Sequence, residues 1–165
     1  MGRAGSAEAH VLVVEPDAVL AEVFRDALAD EGHRVTLFPA PEIAPDGVAA
    51  LGVDLVVLDL PFADGAADVA FIERLMANPQ TAPLPVLVCS SDHRRLEELA
   101  GSLAAWDCGT LAKPFGLDAL LAMTNDLLAQ SRVLTARSHA LRHQLGAAEV
   151  RLRDAIARAD PDRTR

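Results

Sequence analysis

Aromatic residues are scarce: the 165-residue chain has one tryptophan, five phenylalanines and no tyrosine. A core must therefore be assembled from Leu, Val and Ala, and few rings are present to stack on nucleic-acid bases. Cysteine is confined to Cys89 and Cys108. Neither has a CxxC partner or neighbours at metal-ligand spacing, and Cys89, inside an apolar run, reads as a small buried residue. No apolar run reaches the roughly 18 residues of a membrane span. The opening segment MGRAGSAEAH also lacks the hydrophobic stretch of a secretory signal. These absences predict a soluble, cytoplasmic protein with no membrane partner.

Basic residues are few in the body of the chain. Residues 1–130 carry 7 Lys and Arg against 20 Asp and Glu, a balance of −13, whereas residues 131–165 carry 8 Arg against 4 acids, a balance of +4. An acidic body repels phosphate backbones, so no nucleic-acid partner is expected.

Apolar material is ample, with 51% hydrophobic residues. It is arranged as short runs separated by amphipathic stretches. The runs HVLVV before Glu15, Val35–Phe38, Leu55–Leu60, Val86–Cys89 and Thr110–Ala112 read as strands. Between them, Asp17 can cap a helix with Val19, Leu20, Val23, Phe24, Ala27 and Leu28 inward and Gly32 closing it. Pro45 restricts any helix in residues 39–52 to a short one. Residues 66–77 give a helix with Val69, Ile72, Leu75 and Met76 inward, and residues 93–105 a further one. Strands alternating with helices predict an α/β fold, a doubly wound parallel sheet with helices on both faces. Ligands of such sheets sit beyond the carboxyl ends of the strands. Those ends carry Glu15-Pro16-Asp17, Asp59, Ser90-Ser91 and Lys113.

The chemistry of these four ends is coherent. A carboxylate such as Asp59 can attack phosphorus. Neighbouring carboxylates can hold Mg²⁺ through oxygen. A hydroxyl at Ser90 can hydrogen-bond a phosphoryl oxygen, and Lys113 can pair with it as a point charge. The segments VLVVEPD, VDLVVLDLP, NPQTAPLPVLVCSS and LAKPF, in that order, resemble the receiver domain of two-component response regulators. The likeness covers about 120 residues. It implies a flavodoxin-like five-stranded sheet in the order 2-1-3-4-5, with Asp59 as phospho-acceptor and Ser90 and Lys113 assisting. It further implies Mg²⁺ near Glu15, Asp59 and the Pro61 backbone carbonyl, and a cis Lys113–Pro114 peptide; Asp17, one residue beyond the usual acid pair, is a further candidate for the metal. A histidine kinase or phosphotransfer protein is then the expected donor, in a phosphorelay without enzymatic turnover of its own.

Two positions depart from that pattern. Pro16 stands where receivers carry a second acid, which should weaken Mg²⁺ binding. Thr110 stands where they carry a switch aromatic. The expected organisation is a loose terminus at 1–9, a receiver-like domain at 10–130, a helical extension at 131–160 and a loose end at 161–165. A heptad can be drawn through the extension from Leu117 by way of Leu134, Leu141, Leu145 and Leu152, with small residues between. It suits a coiled coil and a homodimer, or a docking helix for another protein. Two functions follow. One is a stand-alone regulator that is phosphorylated on Asp59 and signals by association. The other is a degenerate receiver that acts as a scaffold independently of phosphate.

Overall fold

The computed structural model describes residues 8–40, 42–60 and 66–159, with the side chains of 60, 66–68 and 157–159 excepted. Five strands alternate with five helices: β1 (His10–Val14), α1 (Ala18–Asp30), β2 (Arg34–Phe38), α2 (Pro45–Leu51), β3 (Leu55–Leu60), α3 (Ala66–Ala77), β4 (Val86–Ser90), α4 (His93–Ala105), β5 (Gly109–Ala112) and α5 (Leu117–Ala159). The strands form one parallel sheet in the order β2-β1-β3-β4-β5. This is the doubly wound sheet that the strand and helix pattern predicts, in the flavodoxin-like order that the receiver resemblance implies.

Strand alternation divides the core into two halves. Leu12, Val14, Val56, Leu58, Val86 and Val88 face Val48 of α2, Phe71, Ile72 and Leu75 of α3, and Leu103 of α4. On the opposite face Val11, Val13, Leu55, Val57, Leu87 and Cys89 meet Phe24 and Leu28 of α1 and Leu120, Leu127 and Leu128 of α5. Strands covered on both faces need apolar residues along their buried length, which is why Val11–Val14, Leu55–Leu58 and Val86–Cys89 read as unbroken runs.

Local signals start and stop the helices. Asp17 accepts the Val19 and Leu20 N–H groups at the start of α1. Gly32, at φ 90°, supplies the left-handed residue after its end. Pro45 stands in the first turn of α2, where its missing N–H costs nothing. The Lys113–Pro114 peptide is cis, as expected. One expectation fails in α1. Phe24 and Leu28 are buried as expected, but Val19 and Val23 are exposed and Ala21 joins the buried stripe in their place. In α3, Phe71 joins Ile72 and Leu75 in the core, whereas Met76 is only partly buried.

β1 is held by side chains at both ends. Asp54 accepts the His10 N–H at 2.7 Å. The buried His10 ring meets Thr36 Oγ1 at 2.8 Å and the Leu51 carbonyl at 3.1 Å. At the other end Glu15 accepts the Asp17 N–H at 2.9 Å.

The chain divides after Ser131 into two units. In the second, α5 continues through Gly146 as helix, and Leu134, Leu141, Leu145, Leu152 and Ile156 are each more than half exposed.

Candidate functional site at the carboxyl edge of the sheet

Because all five strands run parallel, their carboxyl ends share one edge. Register places Asp59 beside Cys89, Leu60 beside Ser90, and Ser90 beside Ala112. The Lys113 N–H extends the ladder by donating to the Ser90 carbonyl at 2.7 Å. Lys113 thus follows β5 directly, and its side chain turns back over the edge.

Its ammonium lies 2.8 Å from Asp59 Oδ1 and 3.4 Å from Glu15 Oε2. Glu15 is almost wholly buried, with 2% of its side chain exposed, against 13% for Asp59 and 20% for Lys113. Burial pushes the Glu15 carboxyl above the usual glutamate range. The Asp17 N–H opposes this, the adjoining Asp59 carboxylate adds to it, and Lys113 opposes it. For Lys113, burial acts downward, but Asp59 and Glu15 outweigh it and hold the ammonium above its ordinary value. Cys89, wholly buried beside Asp59 on the neighbouring strand, is pushed up to about 12 by burial and then by the Asp59 charge. It is an inert thiol, as its apolar run predicts.

Ser90 is fully buried, and its Oγ accepts the Asp92 N–H at 3.0 Å, leaving its own O–H free to donate elsewhere. Asp17 is elsewhere engaged: its Oδ1 caps α1 through Val19 and Leu20 at 2.8 and 3.0 Å. Pro61, whose carbonyl the resemblance assigns to the metal, lies outside the described residues. Thr110 is an exposed residue of β5. The sequence did not single out His93. It opens α4, and its Nε2 meets the Lys113 carbonyl at 3.0 Å. The available signal was its place three residues after the strand-end Ser90.

Asp59 Oδ1 is buried and, despite the nearby ammonium, has no aligned hydrogen-bond donor. Glu15 and Asp59 crowd negative charge into a small space. Mg²⁺ commonly takes one or two carboxylates and keeps several waters, so this pair fits. Among the described residues no group of three acids, histidines or cysteines could hold a metal, so Asp17 does not complete a triad.

The profile of the response regulator receiver domain matches residues 11–125. The chain belongs to that family. Among curated relatives it is 31% identical over 146 residues to the probable transcriptional regulatory protein TcrX of Mycobacterium tuberculosis, covering 85% of this chain and 58% of TcrX. The chain thus spans about half to two thirds of the length of the curated relatives it matches. Among solved structures it is similar to NtrX of Brucella abortus, with 24% identity, a TM-score of 0.69, and coverage of 84% of this chain and 30% of NtrX. It is also similar to the receiver domain of sensor histidine kinase PA1611 of Pseudomonas aeruginosa, which has a magnesium ion coordinated in its active-site cleft. There the identity is 22%, the TM-score 0.60, and the coverage 74% of this chain and 99% of that one. Both structural likenesses speak for the fold alone, and it is the family match that makes residues 11–125 a response-regulator receiver domain of two-component signalling. Among the described residues no helix is long and apolar enough to cross a membrane.

Proposed function

We propose that this receiver accepts a phosphoryl group on Asp59 from a phosphohistidine of a histidine kinase or phosphotransfer protein. The reading rests on one observation: the Lys113 ammonium reaches Asp59 at 2.8 Å and Glu15 at 3.4 Å on the edge that also carries Ser90. An Asp59 carboxylate oxygen forms the new P–O bond. The P–N bond of the donor breaks, its electron pair returns to the imidazole, and the imidazole takes a proton. Lys113 can turn from the carboxylate to a phosphoryl oxygen, and the free Ser90 O–H can donate to another. Glu15 and Asp59 would hold Mg²⁺, which supplies charge neutralisation for the incoming phosphoryl group. The chain acts as a signalling module and not as a turnover catalyst. Its state is passed on by association, with a second copy of α5 as the partner for the exposed Leu134, Leu141, Leu145 and Leu152.

Incubation with acetyl phosphate and Mg²⁺ tests this directly. A gain of one phosphoryl mass that disappears in Asp59→Asn is the expected result. No gain at millimolar Mg²⁺ sinks the acceptor role. A second reading, a phosphate-independent scaffold of the same fold, is favoured by Pro16, which leaves two carboxylates at the edge. Partner binding that is equally tight for the wild type and Asp59→Asn would support it.

A further inference from the structure

We propose that His93 is a positioning residue that carries the state of the Asp59 site to helix α4 through the Lys113 main chain. The inference rests on the acceptor reading above. Lys113 is held on both sides of its Cα. Its N–H donates to the Ser90 carbonyl at 2.7 Å, and its carbonyl receives His93 Nε2 at 3.0 Å. A carbonyl can only accept, so Nε2 carries the proton in either charge state of the ring. His93 is the first residue of α4. Its neighbour Asp92 binds Ser90 Oγ through its N–H and caps the helix by accepting the Arg95 N–H at 3.0 Å. Ser90, Asp92, His93 and Lys113 therefore close a circuit joining β4, the start of α4 and the end of β5. The two side chains poised to meet a phosphoryl group, Ser90 and Lys113, are both members of it.

Any shift of Lys113 toward a new charge on Asp59 pulls on its carbonyl and hence on the first turn of α4. Thr110, small and exposed on β5, offers no large side chain to do this instead. The far end of α4 carries a natural reporter. Trp106, the one tryptophan of the chain, is its C-cap and packs partly buried against the core on that side.

The test uses the full chain with Mg²⁺ and beryllofluoride, a tetrahedral mimic of the phosphoryl group. Fluorine NMR reports occupancy, and Trp106 emission reports the response of α4. The wild type is expected to bind the mimic and shift its Trp106 emission. His93→Ala should still bind but lose at least half of that shift, and His93→Gln, whose amide can donate to the same carbonyl, should regain most of it. An unchanged shift in His93→Ala overturns the proposal, as does a silent Trp106 in a wild type that binds the mimic. A wild type that binds no mimic overturns the acceptor reading itself and this inference with it.

Discussion

At Glu15 burial and the Asp59 carboxylate work against the Asp17 N–H and Lys113, and the balance has a pH signature. Its carboxyl is raised in the folded chain, mainly by burial. The folded state therefore holds this proton more tightly than the unfolded state. The corresponding stability is complete below the unfolded glutamate value and is lost as pH rises through the raised folded value. Urea denaturation of the metal-free protein should show a midpoint that falls across that window, and Glu15→Gln should flatten the dependence. An identical profile in both proteins would refute this account. Lys113 is the counterweight. Lys113→Met leaves two acids facing one another with no cation between them. Removing one partner of a buried ion pair costs roughly 3–5 kcal/mol. The partial exposure of Lys113 reduces the expected loss here to about 2 kcal/mol near neutral pH. The loss should shrink on acidification, as protonation of Glu15 relieves the repulsion.

The strands were legible because burial on both faces leaves Val11–Val14, Leu55–Leu58 and Val86–Cys89 no polar position to blur the pattern. Helix faces were less so. Val19 and Val23 look core-facing in a list of apolar residues, yet α1 buries Ala21, Phe24 and Leu28. Only the approach of the helix to the sheet selects among them. Within the site, Asp59, Ser90, Lys113 and Glu15 could be placed because each lies within one residue of a strand's carboxyl end. The His93 contact could not, since it joins the start of α4 to the residue after β5, 20 positions away, through a main-chain carbonyl, and a carbonyl has no sequence signature. α5 presents a separate test. Gly146 lies in its exposed interior, where an added Cβ would meet nothing within 4 Å. Gly146→Ala should stabilise the surrounding helix by about 0.5–1 kcal/mol. Slower amide exchange at residues 142–150 is the readout, and no change there would mean that this turn is limited by something other than backbone entropy.

On the scale of the whole molecule, charge and apolar surface are unevenly shared. The body carries the acids, and the extension carries arginines together with an exposed apolar series at a repeat of seven. A helix with one unpartnered apolar stripe gains by pairing it. Small residues at Ser138, Ala148 and Ala155 make the seam weak, so association should be concentration-dependent and reversible. Sedimentation equilibrium should give a mass above that of the monomer at high micromolar concentration, and Leu141→Asp with Leu145→Asp should return it to monomer. A wild type that stays monomeric at every concentration would remove the second copy as the partner.

The anchoring of β1 by the Asp54 carboxylate at its amino end and by the Glu15 N–H on the Phe38 carbonyl just after it has a consequence for how the molecule opens. A strand flanked by two neighbours, sealed from water and tied at both tips cannot fray from either end. Its amides exchange with solvent only when the entire sheet comes apart. Val11 to Val14 should therefore be the last protons to be replaced by deuterium, at rates that match global unfolding, while the carboxyl edge they support remains free to rearrange.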